Sequence, residues 1–334
     1  MILVTGATGI LGRVLVLELL KRGKKVRACK RPTSNLEEVR ESLKFYTENP
    51  DEFFQKIEWI DVDFQDIESL QEALIGVEEV YHCSAKVSFH PKDKEEMYQT
   101  NIEGTKQLLY ACGSSSVKKF LFVSSIAVLD GLNENGELDE DSNYNPKNAH
   151  SAYSKSKHFS EMEVWRASAE GLNVVIVNPG LIIGSGNWEQ SSGTLFKQME
   201  DGSYTFSGGT SYIDVRDVAK ISVELMEKNI FGERFILVSE DKKYKEVSDF
   251  IRTNLGKPKA KVLPKWVLEI GVALNFFFGW LVSPLQMANK VNIKSVTEFN
   301  KISNRKIKEK LNFEFISVEE SLAFHVENYK DSKN

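Results

Sequence analysis

The sequence predicts a doubly wound α/β fold on a parallel sheet, with a smaller carboxyl-terminal lobe. Three observations predict it. A glycine-rich turn, Thr5-Gly6-Ala7-Thr8-Gly9-Ile10-Leu11-Gly12, sits between an apolar run (Ile2-Leu3-Val4) and a helix-patterned run (Val14, Leu15, Leu17, Leu19, Leu20). Strand-like and helix-like segments then alternate about six times before residue 180. Beyond it, glycines 184, 186, 193, 202, 208 and 209 punctuate a loop-rich stretch, and helical patterns follow. The expected units are 1–180 with 210–240 for the sheet, and 181–209 with 241–330 for the covering lobe.

Composition narrows the class. The chain has 334 residues, 41% hydrophobic and 27% charged, an ordinary globular profile. Its net charge of −5 is spread over interspersed acids and bases, so no nucleic-acid surface is expected. Cys29, Cys83 and Cys112 lack metal spacing and fit a reducing cytosol. The histidines form no ligand cluster, so no metal is expected, and because Met1 runs straight into the first strand no signal peptide is expected either.

In order, Gly6 takes the tight turn, Gly9 leaves room for a pyrophosphate, and Gly12 lets the helix lie close to the strand. The helix N-terminus then offers free N–H groups to phosphates. Gly23 ends that helix, and the second strand runs into Lys30-Arg31-Pro32. NAD-binding units carry an acidic residue near this strand end; here cations stand there and suit a 2′-phosphate, so NADP is favoured, with NAD possible. Residues 34–49 read as one helix. The third strand ends in Asp63-Phe64, an acceptor for an adenine amino group beside an apolar cover, and Asp66 caps a short helix. The fourth strand exits through Ser84-Ala85-Lys86, where small residues leave room for a cofactor. Residues 93–112 read as one helix with Asn101 inside it, either a core amide or a bridge to the site. The fifth strand ends in Ser124-Ser125, and residues 129–150 read as a long functional loop. The next strand ends in Asn178-Pro179-Gly180. Later, a short strand at 212–215 and a helix led by Asp217 are expected, then a strand at 234–238. Helices are expected at 245–255, 265–281, 304–311 and 318–329.

Tyr153 and Lys157 are four apart and share a helix face. A neighbouring ammonium favours a phenolate and is expected to lower the Tyr153 pKa. A carbonyl that accepts a hydride develops charge on oxygen; Tyr153 can protonate it and Ser125 can hold it.

Taken with Asp61-Val62-Asp63, His82-Cys83-Ser84-Ala85, Asn101-Ile102-Glu103-Gly104-Thr105, Tyr153-Ser154-Lys155-Ser156-Lys157 and Tyr212-Ile213-Asp214-Val215-Arg216-Asp217, these motifs resemble the extended short-chain dehydrogenase/reductases. That group is also called the NAD-dependent epimerase/dehydratase family, and it has a Rossmann sheet. The resemblance implies Tyr153 as acid/base, Lys157 as its activator and ribose ligand, and Ser125 rather than Ser124 as carbonyl binder. It places Gly6, Gly9, Ile10 and Leu11 on the pyrophosphate, Arg31 near the adenosine phosphate and Asp63 near adenine, and Thr8, Gly12, Lys30 and Phe64 beside them are expected to bind the cofactor too. Ser84, Ala85, Lys86, Asn101, Ser124, Pro179 and Gly180 fall on the nicotinamide side.

The second strand end resembles dihydroflavonol reductases, with hydroxysteroid dehydrogenases close by. Dehydratases of the family carry an acidic pair after the serine; Ile126-Ala127 stand there instead. Epimerases often show Val-Tyr-Gly; here it is Val128-Leu129-Asp130-Gly131. The expectation is a cytoplasmic NADPH-dependent carbonyl reductase. A sugar-nucleotide epimerase is the alternative, and a silent NADPH-binding sensor a lesser one. The apolar stretch 266–282 reads as the cover of an apolar substrate pocket or a dimer core, or else as a peripheral membrane contact; a true span is disfavoured by its length. The resemblance implies a monomer or a homodimer.

Overall fold

The computed structural model describes residues 1–189, 193–278 and 282–333. The first strands are β1 (Ile2–Thr5), β2 (Val26–Lys30), β3 (Glu58–Asp61), β4 (Glu79–His82) and β5 (Lys119–Val123). A two-residue β6 (Glu137–Leu138) lies in the long loop after them. Next come β7 (Asn173–Pro179), β8 (Leu181–Ile183), β9 (Tyr204–Thr205) and β10 (Gly209–Asp214). β11 (Glu233–Leu237), β12 (Glu240–Lys243), β13 (Lys261–Val262) and β14 (Lys301–Ile302) follow.

Seven strands form one parallel sheet in the order β11-β7-β5-β4-β1-β2-β3. The chain reverses direction across the sheet at β1, so the β1/β4 boundary is the switch point where a crevice opens at the strands' carboxyl ends. The register there pairs Thr5 with His82. Along β7, Val174 and Ile176 pack into the core on one face, and Val175 and Val177 into the core on the other. A strand covered on both faces must be apolar at every position, which is why these runs do not alternate. Each such side chain contributes about 1.5–3 kcal/mol on burial.

The small sheet is β12-β10-β8, with β8 parallel and β12 antiparallel to β10. β13 pairs with β9, and β14 ties the long loop down through β6. The helix Val318–Asp331 packs on β10, and its Val318, Leu322 and Val326 enter the core of this lobe.

Several helices differ from the sequence expectation. Residues 34–49 hold only Leu36–Leu43, capped by Asn35, and Pro50 opens a separate helix Pro50–Gln55. Proline suits a first helical position but not an interior one. Residues 93–112 are not one regular helix: a π-turn, Gln99–Glu103, joins Lys94–Tyr98 to Gly104–Gly113. The helix Val215–Glu227 is capped by Asp214, whose carboxylate accepts from the Arg216 N–H, and Asp217 lies inside it. Helix Thr194–Asp201 lies in the stretch expected to be glycine-punctuated loop, and helix Lys290–Thr297 was not expected. The expected helix 265–281 is described as Lys265–Phe278; Gly279, Trp280 and Leu281 lie outside the described residues. Among the described residues no helix is long and apolar enough to cross a membrane.

Candidate active site

The glycine turn is shaped by sterics. Gly6 has φ +65°, and a Cβ there would meet the Ser84 nitrogen at 2.7 Å. A Cβ on Gly12 would meet the Gly6 oxygen at 2.1 Å. Gly9 differs: it is exposed, and its Cβ would only graze the Gly6 oxygen at 3.2 Å. Gly9 is also the N-cap of the helix Ile10–Lys21 and offers no side-chain cap. The first-turn amides of Ile10 and Leu11 therefore have no acceptor within the helix. This cradle fits a pyrophosphate.

Arg13 braces that turn, a role the sequence reading missed. Its guanidinium is buried and donates to the Thr8 carbonyl, to Glu38 Oε1 and Oε2 (2.7 and 3.1 Å) and to Ser42 Oγ (2.8 Å). It thereby fastens the turn to the helix after β2. The only signal was an arginine directly after the third glycine.

At the end of β2 the two cations part company. Lys30 Nζ lies 2.5 Å from Asp61 on the neighbouring strand. Arg31 is exposed, and among the described residues its guanidinium meets no partner. Asp63 is exposed at the end of β3, with one carboxylate oxygen accepting from the Gln65 N–H. Phe64 turns inward; its ring lies 5.8 Å from that of His82.

The β4 exit loop is held by Asn101. The Asn101 side chain accepts from the Lys86 N–H (2.7 Å) and donates to the Lys86 carbonyl (2.9 Å) and to Ser156 Oγ (2.9 Å). The π-turn frees the Asn101 carbonyl, which accepts from Thr105 and Ser160 hydroxyls at 2.6 and 2.7 Å. Lys86 contributes backbone here, because its ammonium pairs with Glu96.

His82 is buried behind Ser84, and the motif that contains it gave it no role. Thr5 Oγ1 accepts from the Ser84 N–H and so has its own proton for His82 Nδ1 at 2.7 Å. His82 Nε2 then donates to Thr105 Oγ1 (2.9 Å), which donates on to the Asn101 carbonyl. Burial, with Lys157 nearby, pushes the imidazole down to about 3, so this chain runs through a neutral ring.

Ser125 has extended backbone at the end of β5, and its Oγ accepts from the Ala127 N–H at 3.2 Å. The Ser125 proton is left to donate. Tyr153 is the second residue of the helix Ala152–Ala169, and its phenol comes near the Ser125 side chain. Burial raises the Tyr153 pKa, and the nearby Ser125 hydroxyl partly offsets it. The lowering by Lys157 expected from spacing is not what holds this phenol. The Lys157 ammonium is buried, donates to the Val123 carbonyl at 2.6 Å and lies 4.3 Å from the Phe122 ring centre. Burial brings it down to about 8, against the opposing charge of Glu161.

Glu161 was missed as well, although it is four residues beyond Lys157 on the same face. It is buried; Asn178 Nδ2 donates to it at 2.7 Å, and Arg234 lies 3.7 Å away. Asn178 Nδ2 also donates to the Ser125 carbonyl at 3.1 Å. Pro179 and Gly180 follow on the same edge, with the Gly180 N–H on the Leu237 carbonyl. Ser124 is buried against Glu161.

A seven-stranded parallel sheet, a glycine cradle at its switch point and a Ser–Tyr–Lys group at the next strand end define a dinucleotide-binding α/β oxidoreductase. The family model of the NAD dependent epimerase/dehydratase family matches residues 2–237, and the chain belongs to that family. Its members bind a nicotinamide dinucleotide. "Sterol demethylase protein B" of Methylococcus capsulatus is 30% identical, over 81% of this chain and 80% of its own length. A "putative dihydroflavonol 4-reductase" of Synechocystis is 28% identical, over 79% and 75%. Among solved structures, gox2253 superposes with a TM-score of 0.83 at 25% identity, covering 99% of this chain and 98% of that one. UDP-glucose 4-epimerase of Thermotoga maritima gives 0.77 at 20% identity, covering 100% and 99%, and shares the fold.

Proposed function

We propose that this protein is an NADPH-dependent carbonyl reductase, reducing an apolar ketone or aldehyde or oxidising the corresponding alcohol. The observation that carries the proposal is the hydroxyl pair of Tyr153 and Ser125 at the end of β5. The residues that would hold the cofactor are the turn from Gly6 to Gly12 for the pyrophosphate, and Asp63 for the adenine. Arg31 would take the 2′-phosphate. When bound, the reduced nicotinamide supplies a hydride. Ser125 donates its free proton to the substrate oxygen and orients it, and Tyr153 protonates that oxygen as charge develops. Lys157 keeps a buried positive charge on the helix that carries Tyr153, and Asn101 holds the loop on the nicotinamide side. Phe89 stands edge-on to Tyr153 at 6.2 Å, an apolar wall suited to a lipophilic substrate. Relatives named as reductases, at 26–28% identity, support this reading over epimerisation.

Two measurements test it. Tyr153→Phe is expected to lower kcat/KM for a carbonyl substrate by about a hundredfold to ten-thousandfold with cofactor affinity retained; undiminished turnover would sink the mechanism. Titration with NADPH and NADH should show exchangeable, tighter NADPH, and Arg31→Ala should weaken NADPH alone by about tenfold. NAD retained through purification, with no NADPH preference, would turn the assay to sugar nucleotides.

A further inference from the structure

The helix Lys265–Phe278 presents an apolar stripe outward. Trp266, Ile270 and Leu274 recur every fourth residue and are 62%, 50% and 42% exposed, and Phe276 beside them is 82% exposed. The opposite side is seated: Gly271 abuts Ala288, and Asn275 Nδ2 donates to the Ala288 carbonyl at 3.1 Å. Directly before the helix come Lys257, Lys259, Lys261 and Lys265. All four are exposed, and among the described residues none forms an ion pair. They are not on a loose tail, because β13 holds Lys261 opposite the exposed Tyr204 of β9. A tryptophan-headed apolar stripe joined to unpaired lysines is the chemistry of an interfacial helix on anionic lipid.

We infer that this helix and its lysine segment dock the protein on an anionic lipid bilayer, lying in the plane of the interface. Charge complementarity selects this occupant. A second copy would bring these lysines against their own kind, with Glu269 the one acid of that helix. Lipid phosphates answer all four. The segment on which the helix is seated also reaches the candidate site. His90 Nε2 lies 3.0 Å from Ser283 Oγ, Asn292 donates to the Phe89 carbonyl at 3.2 Å, and Phe89 flanks Tyr153. The inference rests on this surface and not on the proposed reaction.

The test is flotation of the full chain with vesicles of phosphatidylcholine, with and without about one-third phosphatidylglycerol. Binding is expected on the anionic vesicles only, falling as salt rises. The triple variant Trp266→Ala, Ile270→Ala, Leu274→Ala should lose flotation. Lys257→Gln with Lys259→Gln and Lys261→Gln should weaken partitioning on the order of a hundredfold. These side chains are exposed, so unchanged melting temperatures verify folding. Absence of flotation by the parent chain overturns the inference, as does binding unaltered by either variant. It is also overturned if light scattering shows a dimer that the apolar variant dissolves while the parent ignores vesicles.

Discussion

Lys157 is the residue whose charge the site must manage. Its ammonium is buried at the end of β5, satisfied by one carbonyl and one ring, and lowered to about 8. The Glu161 anion holds it up against burial. For the free enzyme, kcat/KM in the reductive direction is therefore expected to fall as pH rises through about 8 and Lys157 loses its proton. Glu161→Gln keeps the shape and the Asn178 bond but removes the charge. The prediction is that the falling limb moves to lower pH while the KM for cofactor changes little. A limb that stays in place would show Glu161 to be structural only. The pairing was half legible: 153, 157 and 161 share a face by spacing. That the third member meets Asn178 and Arg234, from β7 and β11, depends on strands far apart in sequence.

At the scale of elements, the glycine turn separates two kinds of glycine. Gly12→Ala places a methyl where the Gly6 carbonyl stands, so it is expected to destabilise the fold by several kcal/mol, read as a lowered denaturation midpoint. Gly9→Ala meets only a 3.2 Å contact and should fold nearly normally while binding dinucleotide poorly, because its methyl points into the open cradle. Equal stability losses would show that the two positions are not distinct. The pattern G-x-x-G-x-x-G was visible as residues. Which glycine serves packing and which serves the ligand was decided by where the turn meets Ser84 and its own helix. The π-turn at Asn101 is a similar case. Hydrophobic spacing predicts an unbroken helix, and the break comes from the Ser160 hydroxyl of another helix taking the Asn101 carbonyl.

At the scale of the molecule, one buried carboxylate ties the helix Val215–Glu227 to the carboxyl-terminal helix. Asp214 caps the helix Val215–Glu227 and takes a bidentate pair from Arg216 at 2.8 and 2.7 Å. It also accepts from Ser321 (2.7 Å) and faces His325 Nε2 (3.2 Å), both on the carboxyl-terminal helix. Burial opposes its ionisation, but the Arg216 and His325 bonds prevail and hold it below the usual carboxylate range. A depressed pKa means the stabilisation is present above the unfolded-state pKa of about 4 and is lost as pH falls through the native value. Asp214→Asn is expected to cost about 3 kcal/mol at neutral pH. It should speed hydrogen exchange in 318–331, and the gap from the parent should narrow in acid. Unchanged exchange in that helix would show that Asp214 does not latch it.

The sequence by itself determined the local rules: strands apolar at every position because both faces are covered, a cradle of glycines, and a tyrosine and a lysine four apart. Those depend on neighbours within a few residues, where spacing and sterics suffice. Tertiary structure alone decided which charges are already spent. Lys30 is consumed by Asp61 and Arg31 is left open, because β2 and β3 happen to pair Lys30 with Asp61. Lys157 rests on Val123, Arg13 on Glu38, and Asp214 on a helix more than a hundred residues later. The electrostatics of a site are set by burial and distance in space, and neither is written in the order of the chain.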